Sequence, residues 1–220
     1  MSHTPPVCAP HGDIIQAAVD REEPPQLSQA QLLWIAALLD GLAAQRSGAA
    51  EGLRFLVFGV GLDSDVWAAV NCQGRTAFLE DSEEWIGRIR GSHPGLEVHH
   101  VTYQGRLSAA QEFFKQPWLM DVPQSVQGAC WDAILVDAPR GFRPYHPGCM
   151  ESAYYAVHTA RRCTAAGRAH HVLVFLHDVN RPVESQIVQR IFSGPGIRPL
   201  GVIKGQLGDL AAFSIAQAPS

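Results

Sequence analysis

The stretch 54–64, RFLVFGVGLDS, limits what this chain can fold into more than any other. Phe55, Leu56, Val57 and Phe58 follow one another with no polar alternation, the pattern of a strand buried on both faces of a parallel sheet. Gly59 and Gly61 come next, and Asp63-Ser64 can cap a helix over 66–70. A strand, a glycine turn and a helix N-terminus make a place where backbone can closely approach a nucleotide-like ligand. Glu80 strengthens that reading. It stands 19 residues past Gly61, at the end of a second apolar run over 75–79, where an acid can accept hydrogen bonds from both hydroxyls of a ribose. Gly59, Gly61, Asp63, Ser64 and Glu80 are therefore the candidate nucleotide-binding residues. A nicotinamide-dependent oxidoreductase would use the same turn, but Ser64 stands where the third glycine of G-x-G-x-x-G would fall.

The 220 residues suit one α/β domain. A net charge of −4 without a basic run argues against general nucleic-acid binding, which rests on many phosphate contacts. The five cysteines are scattered and odd in number, so neither a disulfide framework nor a zinc knuckle is expected, and a reducing compartment follows. With no signal-like N-terminus and no apolar stretch near the ~20 residues of a membrane span, the chain reads as cytoplasmic.

Residues 1–26, rich in proline and polar side chains, read as an arm or cover outside the core. Residues 29–46 place Leu32, Leu33, Ile35, Ala36, Leu39 and Leu42 at helical spacing, and 47–52 form a loop into the first strand. The resulting division is an N-terminal arm and helix over the pocket, 1–52, and a main domain, 53–220. A capped helix follows Glu80 and runs to about Arg90. Asp81 is placed to share the ribose or purine, and Trp85 to wall the base. His99 and His100, on a strand over 96–103, point to opposite faces and are expected at a surface and an edge. A helix over 108–115 precedes a second buried strand, 131–137, which ends on Asp137. A carboxylate there needs a partner or a task. After a helix over 150–163, a third buried strand, 170–176, ends on His177-Asp178. Pro182 opens another helix, and strands over 197–203 and 210–215 flank a Gly-rich turn. This alternation predicts a mostly parallel sheet with helices on both faces and one antiparallel strand among the last two.

The segments FLVFGVGLDS, GRTAFLED, WDAILVDAPRGF and LHDVNRPVE, with Trp67 and Cys149-Met150, resemble the glucuronoxylan 4-O-methyltransferase-like family of polysaccharide-biosynthesis domains. The resemblance spans 55–213. It implies a Rossmann-like class I methyltransferase fold with a seven-stranded sheet, S-adenosylmethionine as cofactor, and O-methylation of a uronic-acid-type acceptor on an oligosaccharide. It also implies a Golgi location where an anchor precedes the chain. By match, Gly59 and Gly61 meet the methionine portion of the cofactor, Glu80 its ribose, and Asp137 lies beside the sulfonium and the acceptor. The chain departs from the family pattern at Leu62, at Cys149 and over 205–213. Two basic residues that could hold a uronate are thus replaced, which keeps a smaller acceptor, O- or N-methylated, in play.

An alcohol keeps its proton at neutral pH, so its methylation calls for a general base or a metal ion. If the strands ending on Asp137 and His177 are neighbours, Asp137, His177 and Asp178 meet at one edge of the crevice. One expectation makes His177 the base, oriented by Asp178 or Asp137. Another makes Asp137, Asp178 and His177, or Asn180, ligands of a divalent cation such as Mg²⁺ or Mn²⁺. Arg140, Arg143, Arg181 and Lys204 are candidates for an anionic acceptor, with Phe142 and Tyr145 closing over it about a Gly141 hinge. A non-catalytic nucleotide-binding relative is the remaining alternative.

Overall fold

The computed structural model describes residues 8–46 and 52–218. Seven strands, β1 (Arg54–Phe58), β2 (Arg75–Glu80), β3 (Glu97–His100), β4 (Ala133–Val136), β5 (His171–Leu176), β6 (Ile197–Ile203) and β7 (Leu210–Ala216), form one sheet in the order β3-β2-β1-β4-β5-β7-β6. β7 pairs antiparallel with both β5 and β6 and alone runs against the rest. The helices are α1 (His11–Val19), α2 (Gln29–Gln45), α3 (Ser64–Val70), α4 (Glu83–Ser92), α5 (Ala110–Lys115), α6 (Gln124–Gln127), α7 (Met150–Ala165) and α8 (Pro182–Ile191). A 3-10 turn, Leu107–Ala109, leads into α5.

The apolar runs work as their lack of alternation implies. Successive residues of a strand face opposite sides of the sheet, and here both sides are covered. Leu56 and Phe58, Ile134 and Val136, and Val172, Val174 and Leu176 enter one core with Phe113 of α5, Ala153, Ala156 and Ala160 of α7 and Ile187 of α8. Phe55 and Val57, Ala133 and Leu135, and Leu173 and Phe175 enter the other, with Leu32, Ile35 and Leu39 of α2 and Trp67 of α3. A strand flanked by two dry layers has no polar face to show. Hence the sequence has no period there.

Three readings need correction. The segment before residue 27 is not outside the core: α1 buries Ile15 and Ala18 in the second layer, and Leu27 joins them. A short helix with so few apolar positions between prolines carries little periodicity to read. Second, the cysteines do pair. Cys8 is joined to Cys72 and Cys130 to Cys163, with Cα–Cα separations of 5.9 and 5.5 Å. Only Cys149 is free among the described residues. Pairing depends on Cα geometry that spacing does not reveal. Third, the strand expected over 96–103 is the four-residue β3. His99 there bonds Glu97 at 2.8 Å and His100 is exposed, so this pair sits at an edge as expected. The expected loop at 47–52 lies mostly outside the described residues. No helix of the described residues is long and apolar enough to cross a membrane.

Candidate active site

The carboxyl ends of β1, β2, β4 and β5 open onto a cavity of about 580 Å³, within the range of small-molecule and cofactor sites. Its wall includes Gly59, Val60, Gly61, Asp63, Glu80, Asp81, Trp85, Asp137, Arg140, Phe142, Asp178 and Arg181.

The glycine turn is built from backbone. Gly59 has φ of +107°, and a Cβ placed there would come within 2.9 Å of the Ala138 Cβ, so only glycine fits. Ser64 faces the turn rather than the cavity, its Oγ accepting from Gly61 N at 2.9 Å. Asp63 occupies the cap position of α3, but its carboxylate accepts from Trp67 Nε1 at 2.9 Å instead of capping. Burial, then the charge of Asp137, push the Asp63 carboxyl up to about 7.

Glu80 is more committed than the sequence suggests. Its Oε2 accepts from Val60 N at 2.9 Å, and its Oε1 from Asp81 N at 3.0 Å and Ser82 N at 2.7 Å. Burial raises the pKa of this carboxyl against the pull of the Val60 and Ser82 amides. A carboxylate has about four acceptor sites. Three are used by these amides, which leaves room for one further donor, and Asp81 lies beside it on the cavity wall.

At the other end, β4 and β5 are hydrogen-bonded neighbours with Val136 opposite Leu176, which brings the next residues together. His177 Nδ1 lies 2.7 Å from Asp137 Oδ1. Asp137 is on the cavity wall, whereas His177 is buried behind it. Burial pulls the imidazole down. The charge and hydrogen bond of Asp137, then Asp178 and the Gly208 backbone, outweigh it and raise His177 to about 9. Nε2 closes no hydrogen bond among the described residues, with the Gly208 backbone beside it. An imidazolium without access to the cavity does not fit the role of a base touching substrate. Asp178, at φ 63°, pairs with Arg181 Nη1 at 2.7 Å, and its Oδ1 is buried without a partner among the described residues.

The metal expectation fails on geometry. His177 Nδ1 is taken up by Asp137, and Asp178 Oδ2 by Arg181. Asn180 Oδ1 accepts from Asp209 N at 3.0 Å. No group of three His, Cys, Asp or Glu side chains among the described residues is arranged to hold an ion.

Of the acceptor candidates, Arg140, Phe142 and Arg181 line the cavity, while Arg143, Tyr145 and Lys204 do not. Hydrogen bonds tie the loop 140–148 on both sides of Gly141. Leu107 N and Ser108 N donate to its His146 and Pro144 carbonyls, Gly148 N closes it on Arg140 O, and the Phe142 and Arg143 amides donate to His146 Nδ1. Glu184, the last residue of the LHDVNRPVE segment, braces it from beneath: a Cβ on Gly141 would come within 2.9 Å of Glu184 Oε1. Sequence reasoning missed His146, Glu184 and the cavity residue Gln26. Glu184 alone carried a signal, as an acid in an apolar helix face.

This order of strands, with the binding crevice at their carboxyl ends, is the class I methyltransferase fold. A Staphylococcus aureus protein assigned provisionally to the caffeoyl-CoA O-methyltransferases superposes with a TM-score of 0.50 at 15% identity, covering 93% of this chain and 91% of that one. The N-terminal domain of human METTL16, solved in complex with SAH, gives 0.50 at 13% identity over 90% of this chain and 74% of its own. The IRX15/IRX15L/GXM family model matches residues 42–118 and 115–193, and the chain belongs to that family. Glucuronoxylan 4-O-methyltransferase 2 of Arabidopsis thaliana is 35% identical over 180 residues, 74% of this chain and 59% of the relative. Arabinogalactan O-methyltransferase 2 of the same plant is 37% identical over 154 residues, 60% of this chain and 52% of the relative. The chain thus spans little more than half the length of these relatives.

Proposed function

We propose that the chain is an S-adenosylmethionine-dependent methyltransferase acting on a hydroxyl of a uronate-bearing saccharide. The observation that carries this is the Asp137 carboxylate on the cavity wall, held from behind by His177 at 2.7 Å and facing the glycine turn across one crevice. The residues fit the cofactor. Gly59 and Gly61 leave room for its amino-acid portion, Glu80 and Asp81 offer acceptors for ribose hydroxyls, and Trp85 walls the base. When bound, it supplies an electrophilic methyl group.

The chain's own residues do the remainder. Asp137 accepts the acceptor's hydroxyl proton as the oxygen attacks, leaving the proton on the carboxyl until water removes it. His177, as imidazolium, fixes the carboxylate's orientation and offsets its charge. Arg140 forms no ion pair among the described residues and lines the cavity, so it is placed for the uronate carboxylate. Phe142, well exposed beside it, offers a ring to the sugar. The activities for which the Arabidopsis relatives are named, on glucuronoxylan and arabinogalactan, support a saccharide over a smaller acceptor. The two disulfides support an oxidising compartment rather than the cytoplasm.

Titration calorimetry with S-adenosylhomocysteine, followed by transfer of labelled methyl to glucuronic-acid-bearing and neutral xylo-oligosaccharides, tests the proposal. Micromolar binding with label only on the acidic oligosaccharides is expected. No binding by folded protein would remove the enzyme reading, and equal labelling of both oligosaccharides the uronate.

A further inference from the structure

The turn between β6 and β7 is wedged between two buried side chains from distant parts of the chain. On one side is Gln31, wholly buried in the first turn of α2. Its Nε2 donates to Gly208 O at 2.8 Å and to Ile203 O at 3.2 Å. A Cβ on Gly205 would lie 2.7 Å from that amide. On the other side are His177 and Asp178. A Cβ on Gly208 would come within 2.9 Å of His177 Nε2 and 2.3 Å of Asp178 Oδ1. These are two of the buried polar atoms without a partner. The backbone at 208 therefore presses on the imidazole edge opposite Asp137, and Gln31 sets how far it can retreat.

We propose that Gln31 is a positioning residue for the His177–Asp137 pair, holding the 205–208 turn against the imidazole through the Gly208 carbonyl so that Nδ1 stays on Asp137. This rests on the reading of Asp137 as the proton acceptor only for its effect on catalysis; the contact itself does not. The competing role is purely structural. Gln31 Oε1 also accepts from Ser28 N and Ser28 Oγ, at 2.9 and 3.1 Å, completing the capping box of α2. The two roles use opposite ends of the amide, so they separate. The charged groups about the imidazole are Asp137 just after β4, Asp178 and Arg181 from the segment after β5, and Asp63 from the glycine turn; within the hairpin, Asp209 accepts from Gly205 N. The hydrogen bonds of the Gln31 side chain run to Ser28, Ile203 and Gly208, none of which is charged.

The test is the titration of His177 by NMR in histidine-labelled protein without any ligand, for wild type, Gln31→Met, Gly208→Ala and Ser28→Ala. Gln31→Met keeps the volume and removes both ends of the amide, so Ser28→Ala, which weakens only the cap, is its control. The expected result is a His177 midpoint lowered by about one pH unit in Gln31→Met as the Asp137 bond loosens, and displaced also in Gly208→Ala. Ser28→Ala should lower the melting temperature but leave the midpoint in place. Where turnover is measurable, the alkaline limb of kcat should move with the NMR midpoint while the KM for S-adenosylmethionine stays within two-fold. An unmoved His177 midpoint in both Gln31→Met and Gly208→Ala overturns the proposal, as does an equal displacement in Ser28→Ala. The titration needs no substrate, so a failed methyl-transfer assay does not count against it.

Discussion

The two ends of the crevice are made in opposite ways. At the β1–β2 end, a single buried carboxylate, Glu80, accepts from the backbone amides of Val60, Asp81 and Ser82 and keeps room for one more donor. At the β4–β5 end, four ionisable side chains, Asp137, His177, Asp178 and Arg181, pair with one another and leave His177 Nε2 and Asp178 Oδ1 without a partner among the described residues. The first arrangement fixes a backbone shape and has little charge left to give. The second holds charge in a place where hydrogen bonding is incomplete, which makes its protonation responsive to small movements. A cofactor calls for shape; proton transfer calls for poise.

Substitutions can break this contrast. The largest effect is expected from Asp137→Asn, which removes the proposed proton acceptor but keeps the shape. Turnover should fall on the order of a thousand-fold, in line with loss of a general base, while S-adenosylhomocysteine affinity measured by calorimetry stays within a few-fold. Equal loss of both would place Asp137 with the cofactor. Glu80→Ala should do the reverse. It orphans three amides at about 1 kcal/mol each, so urea unfolding should show a loss of about 3 kcal/mol, and the dissociation constant should rise tens-fold. An unchanged dissociation constant would remove Glu80 from the pocket.

The proton balance sharpens it further. His177 is raised from 6.5 to about 9, so its pairing stabilises the fold fully below about pH 6.5, and that stability is lost as pH rises through about 9. Urea unfolding across this window should show a decline of up to about 3 kcal/mol, absent in His177→Gln. Asp63, raised to about 7, works in a lower window: ionising it costs stability between about pH 4 and 7, and Asp63→Asn should flatten that slope without touching the other. The smallest effect belongs to Arg21, which donates to Leu62 O at 2.9 Å and pairs with Asp65 at 2.6 Å at an exposed position. Arg21→Ala should cost no more than about 1 kcal/mol and weaken cofactor binding only a few-fold, with the difference vanishing at high salt.

What was legible in the sequence follows the same divide. The unbroken apolar runs of β1, β4 and β5 announce strands buried on both faces. Residues after such strands meet wherever the strands are neighbours, so Asp137 and His177 could be paired before any coordinates. Depth was not legible. Nothing local says that His177 stands behind Asp137 rather than beside it, or that Glu80 spends its lone pairs on its own backbone. The contacts between Gln31 and Gly208, and between Cys8 and Cys72, join residues whose spacing in the chain carries no period or motif. Helix α1 was missed because Ile15 and Ala18 are too few to show a stripe.

The position of β7 has a consequence for the order in which the molecule is finished. It lies between β5 and β6 yet follows both in the chain. During synthesis, where N-terminal parts fold first, β4 and β5 can bring Asp137 and His177 together while the place beside β5 is still vacant. The Gly208 turn and the strand behind it arrive only when residues 210–216 leave the ribosome. The charged pair would thus spend its first moments open to water on the side later closed, and the last strand made is the one that seals it.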